Sequence, residues 1–270
     1  VAESRPVLDA PRETARGVRH VVTAVEFDIL WERLGLGPTP VVLRLPSPGR
    51  AEAERREVRA AGWQTLRERG LAGPAGPDPE LVRVLRLLAR PAEQLELRGT
   101  WGRAVAAVAA GRPDDGMLAV RQDATVTLES CGALPAALLG ALPTAPPGPG
   151  RASTVPTSVL TAALGAGEPG LRAALIARDV SPGEAGLLAR MLAGGGGRAQ
   201  IVALATDASG IPRRSGEVVG VIDSPGGRYL MTRTVGDDGV EWTTVAPTDQ
   251  RGLRHRVVRL LAAAARDAVG

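Results

Sequence analysis

Gly165, Gly167 and Gly170 spell GxGxxG (GAGEPG), the spacing with which a loop cradles the phosphates of a dinucleotide. That chemistry needs a strand before the loop, a helix N-terminus after it and an acid about 20 residues further on. The residues ahead of it, Ser158–Leu164, carry a helical pattern instead, and Pro169 removes a backbone amide where phosphate would be held. The segment therefore reads as a loop between helices. An enzyme binding a nucleotide or small molecule at Gly165–Gly170 stands as the alternative.

Other chemistry finds few residues to work with. The chain has no lysine, so a Walker A site cannot be built. A hydrolytic triad needs a histidine, and there are two: His20 at the entry to the first strand, in a polar setting, and His255 on the last helix, off its apolar stripe. Cys131 is the single cysteine, which excludes an internal disulfide and a thiolate zinc site. Two acidic pairs, Asp114/Asp115 and Asp237/Asp238, fall in hairpin turns, where Asp is favoured for backbone reasons. No catalytic residue, cofactor or metal is expected.

Composition narrows the classes further. A length of 270 residues suits one large domain or two small ones. The apolar share of 44 % comes almost wholly from Ala, Val and Leu, beside one Phe, one Tyr and four Trp, so the core must be aliphatic. All 33 basic residues are Arg, yet the net charge is only +4, and in Glu52–Arg69 (EAERREVRAAGWQTLRER) the signs mix as on a solvated helix. Nucleic-acid binding is not expected. No segment approaches the about 20 apolar residues that cross a bilayer, and the first residues (VAESRPVLDAPRETARG) lack the apolar stretch of a signal peptide. With its lone cysteine, the chain is expected in the cytoplasm.

The elements that would position any site follow from periodicity. After a polar leader, 1–17, a strand is expected over Val18–Val25. A helix follows over Glu26–Leu34, with Phe27, Leu30, Trp31 and Leu34 on one face. Val41–Leu45 reads as a strand, Ala51–Arg69 and Asp78–Ala89 as helices. From Gln94 the period drops to two, giving strands Gln94–Trp101, Arg103–Ala110, Met117–Gln122 and Thr125–Ser130, then a helix over Leu134–Leu142. Asp114-Asp115-Gly116 is taken as one of the turns.

Residues 144–150 (TAPPGPG) forbid helix and central strand and read as a linker. Beyond them come a strand at Arg151–Val155, helices at Thr157–Leu164, Glu168–Arg178 and Ser181–Leu192, and a second meander at Ala199–Thr206, Glu217–Asp223, Arg228–Val235 and Val240–Val245. A helix over Asp249–Ala268 closes the chain. The fold class is therefore α+β: antiparallel meander sheets with flanking helices and a pseudo-two-fold internal duplication of halves 18–143 and 151–270.

What remains for function is surface. The second meander offers Val219, Val221, Tyr229, Met231, Arg233 and Trp242 as a partner-binding set, with Tyr229 and Met231 two apart and so on one strand face. The competing reading is that these are sheet residues packed beneath helices.

Four segments carry a family resemblance: FDILWERLGLGPTPVVLRLPSPG (Phe27–Gly49), GWQTLRERGL (Gly62–Leu71), DPELVRVLRLLARPAEQLELRG (Asp78–Gly99) and IDSPGGRYLMTRT…GVEWTTVAPTD (Ile222–Asp249). In order and spacing they are similar to the EspG family associated with type VII (ESX) secretion in actinobacteria, over about Val18 to Leu261. The resemblance implies a cytosolic, non-enzymatic chaperone that grips the apolar tip of a helical substrate with its central sheet and C-terminal helices. That substrate would be a PPE-like protein or a PE–PPE-like heterodimer, and a homodimer of the chaperone is left open. The sequence departs from the mycobacterial pattern in its few aromatics, its Gly194–Gly197 run and its Pro-rich linker.

Overall fold

The computed structural model of the protein describes residues 19–43 and 45–269. The expected leader, 1–17, lies outside them. The chain divides into two compact units, one of residues up to 97 with Val105–Pro143, the other of Arg98–Ala104 with Thr144 onward.

The first unit opens with β1 (Arg19–Thr23), which passes directly into α1 (Ala24–Arg33). Thr23 makes this boundary. Its hydroxyl accepts a hydrogen bond from the Glu26 N–H at 3.1 Å, and the Glu26 carboxylate accepts one from the Thr23 N–H at 2.7 Å, so two orphan donors of the first turn are satisfied reciprocally. The buried face of α1 carries Phe27, Leu30 and Trp31, with the rings of Phe27 and Trp31 stacked 5.2 Å apart. The strand expected at Val41–Leu45 is instead a single 3-10 turn, Val41–Leu43. Pro38, Pro40, Pro46 and Pro48 crowd this segment and withhold the N–H groups that a ladder requires. Val42 and Leu43 are buried in the core as plugs rather than as part of a sheet.

After α2 (Glu52–Glu68) and a minimal hairpin of β2 (Ala72–Gly73) and β3 (Gly76–Pro77), α3 (Pro79–Ala89) starts at Asp78, whose carboxylate accepts the Leu81 N–H at 2.9 Å. The meander is β4 (Glu93–Trp101), β5 (Arg103–Arg112), β6 (Asp115–Gln122) and β7 (Thr125–Cys131), followed by α4 (Leu134–Gly140). Arg112 faces Asp115 across β5 and β6, so the turn is Pro113-Asp114, with Asp114 left-handed at φ 65°. Asp115 and Gly116 are already strand, so β6 begins two residues earlier than the expected Met117. Strand order is β1-β7-β6-β5-β4.

The second unit repeats this plan. It runs β8 (Ser153–Pro156), α5 (Thr157–Leu164), α6 (Gly167–Ile176), α7 (Pro182–Met191), then β9 (Gly197–Thr206), β10 (Pro212–Arg214), β11 (Val219–Ser224), β12 (Gly227–Val235), β13 (Glu241–Pro247) and α8 (Gln250–Asp267). Its order is β8-β13-β12-β11-β9, with β10 folding back on β9 as an addition. In both units the opening strand joins the last strand of its own meander, β1 on β7 and β8 on β13. The duplication foreseen from periodicity is thus present in element order and strand order.

Residues 144–150 lack regular structure, as their composition dictates, but they are strapped down. The Pro146 carbonyl accepts the Arg228 N–H at 2.8 Å, the Gly148 N–H donates back to the Arg228 carbonyl at 3.1 Å, and the Tyr229 hydroxyl donates to the Pro149 carbonyl at 3.1 Å. A Cβ at Gly148 would lie 2.1 Å from the Tyr229 ring, so only glycine lets the strap lie this close.

Candidate partner-binding surface

Register across the second meander decides which residues share a face, because residues directly opposite on paired strands point the same way. Val219 faces Thr232, Val221 faces Leu230, and Ile222 faces Tyr229. Leu230 faces Ala246, Met231 faces Val245, and Thr234 faces Trp242. The six residues expected to bind a partner therefore split. Tyr229, Met231 and Arg233 lie on one face; Val219, Val221 and Trp242 lie on the other.

The Tyr229 face is the interior. Tyr229 and Val245 form a core with Leu160, Leu175, Leu188 and Met191 of α5–α7, and Met231 and Ile222 pack against it. Arg233, further along β12, is exposed and lies 3.8 Å from Glu241. On the opposite face Val219 and Val221 are fully buried. None of the core beneath α5–α7 comes from α8, which runs along β9, β10 and β11 and buries Leu253, Val257, Leu260 and Ala264. It therefore covers the Val219 side. The same side of β12, β13 and β8 is left half open, with Leu230, Thr232, Trp242, Thr244 and Ala246 only partly buried and Thr154 exposed. Of the six expected contacts, Trp242 alone belongs to this open face. Sequence reasoning missed Leu230, Thr232, Thr244 and Ala246. Their signal was the period of two itself, counted from Trp242 and carried to the next strand.

The buried polar groups of this unit hold the meander together. Arg228, fully buried, donates to both carboxylate oxygens of Asp223 at 2.7 and 2.8 Å, and Asp223 also accepts the Trp101 indole N–H at 2.9 Å. The Gly194–Gly197 run makes room for this contact. A Cβ at Gly197 would meet the Trp101 ring at 2.0 Å, and one at Gly196 the Asp223 carbonyl at 2.1 Å. The run also lines an open cleft of about 200 Å³, smaller than the roughly 300 Å³ at which ligand pockets begin.

A model of the EspG family matches residues 23–259. The chain belongs to the EspG family. Among solved structures it is similar to the Mycobacterium tuberculosis type VII secretion system chaperone EspG5, seen in complex with a PE25–PPE41 dimer. The TM-score is 0.71 and the identity 16 %, over 91 % of this chain and 96 % of that one. At that identity the likeness shows the fold. No functionally curated protein matches the chain.

In this EspG protein the candidate chemistry is positioned for structure. The Gly165–Gly170 loop follows helix α5 rather than a strand, so the strand–loop–helix cradle of a dinucleotide site is not formed. His20 proves to be buried in β1, its Nε2 3.7 Å from Asp78, rather than in a polar setting at the entry to the strand. His255 is exposed, as expected. Burial, with Glu129 and Asp115 nearby, pushes the Cys131 thiol up to about 11, which keeps it protonated at neutral pH and a poor nucleophile. Among the described residues no group of three His, Cys, Asp or Glu could hold a metal, and no helix is long and apolar enough to cross a membrane. The GRYL stretch that carried much of the family resemblance owes its character to the Arg228–Asp223 pair and to Tyr229 under its strap.

Proposed function

We propose that this EspG protein is a non-enzymatic chaperone of a type VII secretion system that works in the cytoplasm. It holds a PE–PPE-type heterodimer by the apolar tip of its helices until export. The observation that carries the reading is the half-open sheet face of β12, β13 and β8 beside α8, in a chain of the EspG family. EspG5, which shares this fold, is seen with a PE–PPE dimer. An exposed apolar helix tip aggregates, and a sheet face of Leu, Ala, Trp and Thr side chains buries it without a chemical step.

Trp242 is the anchor of the seat, since interface energy concentrates in large aromatics at a desolvated centre. The test is co-expression with a PE–PPE-type heterodimer from the same organism, followed by size-exclusion chromatography. Wild type co-elutes with the heterodimer, and Thr232→Arg, which puts a charge into the centre of the face, does not. If wild type and heterodimer elute apart at micromolar concentration, the reading is wrong.

A further inference from the structure

The open face is small for a stable grip. Three strands about 4.8 Å apart, each showing about five residues at 3.4 Å, span about 14 by 17 Å, or about 250 Å². A specific complex buries about 800 Å² on each partner. A client seated on β12, β13 and β8 must therefore rest on neighbouring elements too, and α8 is the neighbour on that face.

The solvent side of α8 has an unusual charge pattern. Arg251, Arg254, Arg259 and Arg266 are all exposed, with His255 among them and Val258 47 % exposed between them. At 100° per residue these positions fall within one arc of about 140°, opposite the buried Leu253, Val257 and Leu260. That arc contains no acid. Arg256, off the arc, is the α8 arginine that pairs with Glu217, at 2.9 Å. The contrast with α2 is direct, for that helix has four Glu against four Arg. In α8 five Arg stand against the single Asp267, a surplus equal to the whole chain's net charge of +4. An arginine-rich composition supplies the cations anywhere, but it does not explain why a helix with five arginines places no anion on its solvent arc.

We propose that the exposed face of α8 is the electrostatic part of the client seat and takes an acidic helix face of the client. The inference rests on the chaperone reading above. A protein helix fits better than the other polyanions. The strip is about 22 Å long, with arginines at helical spacing around an exposed valine. It has no Phe, Tyr or Trp on which successive bases would stack, and a single imidazole, His255, makes no stacking platform. The apolar side of α8, which a membrane-surface helix would insert into lipid, is already buried within its own unit.

The test measures association of the full chain with the same PE–PPE-type heterodimer at 50 and 300 mM NaCl. Steering by one-signed charge should make the wild-type on-rate fall about tenfold or more between the two salts. Arg254→Glu combined with Arg259→Glu and Arg266→Glu should lower the low-salt on-rate by a similar factor and remove the salt dependence, with an unchanged thermal melt. The Arg→Gln triple should fall between. Heterodimer binding by the Glu triple at wild-type rate and salt dependence overturns the inference and leaves the chaperone reading standing. So does retention of wild type, lost in the triple, on a 30-bp DNA duplex or phosphatidylglycerol vesicles while heterodimer binding is untouched. Absence of heterodimer binding by wild type at either salt overturns the chaperone reading, and this one with it.

Discussion

Adjacent residues on β12 should separate folding from capture. Tyr229 is 2 % exposed, sits in the core under α5–α7 and holds the Pro146–Gly150 strap through its hydroxyl. Truncating a buried aromatic to Ala typically costs about 3–5 kcal/mol. At about 2–4 °C per kcal/mol for chains of this size, Tyr229→Ala should lower Tm by about 6–20 °C. Tyr229→Phe keeps the ring and loses only the bond to Pro149, about 1 kcal/mol. Leu230, the next residue, points to the open face and is partly buried, so Leu230→Ala should cost about 1 kcal/mol of stability and weaken client capture by about 1–2 kcal/mol. Thermal and urea unfolding followed by circular dichroism give the first quantity, and co-elution titrations give the second. If Tyr229→Ala unfolds within about 0.5 kcal/mol of wild type while losing the client, Tyr229 is a contact residue and the face assignment is wrong.

Further outcomes follow from the same geometry. Gly197→Ala should destabilise by about 1–3 kcal/mol, because its Cβ meets the Trp101 ring at 2.0 Å, and Trp101→Ala introduced with it should recover part of the loss; a urea series on the single and double variants checks this. Gly165→Ala should be nearly neutral, whereas Gly167→Ala, at φ 73°, should cost about 1 kcal/mol, and neither should change a thermal shift with ATP or NAD. The Arg83 and Ser130 side chains bonded to Glu80 hold its carboxyl down to about 2, against an ordinary value of 4.5. That stabilisation is complete above about pH 4.5 and is lost as pH falls towards 2, so Glu80→Gln should flatten the acid limb of a stability–pH curve over this window.

Legibility in the sequence followed locality. Both meanders and the helices starting at Asp78 and Asp249 depend on neighbours within a few residues and were readable, and the duplicated plan followed from their order. The start of α1 was readable too, from Thr23 three residues before Glu26, although apolar periodicity alone placed it two residues late. At Val41–Leu43 a β-branched run outvoted four flanking prolines, and the prolines prevailed. The faces of the second meander were not readable in the same way. β11 is apolar on both sides, Val219 and Val221 on one and Ile222 on the other, so alternation cannot say which side a helix covers. Likewise nothing local announces that Trp101 reaches Asp223, 122 positions away. The glycine run at 194–197, a departure when read as sequence, is the room that contact requires.

The duplicated plan also bears on where function sits. In the first unit β5 and β6 are buried along nearly continuous stretches, from Ala107 to Gly111 and from Gly116 to Ala119, while the outer strand β7 alternates buried and partly buried residues. Its closing helix, α4, is seven residues long and uncharged, and buries Leu134, Leu138 and Leu139. The second unit differs chiefly in its closing helix. β12 and β13 keep one half-open side, and the closing helix has grown to 18 residues with five arginines. Two copies of one topology meet the same folding requirement, and a stable sheet needs neither the open side nor the cationic helix. A long cationic closing helix that stability does not demand, present in one copy and not the other, is what a binding role would select. Exchanging α8 for an equally long helix with the same buried Leu253, Val257 and Leu260 but Glu–Arg pairs on its solvent side should therefore keep Tm within a few degrees and weaken client capture. Equal capture by the exchanged chain would place the seat elsewhere.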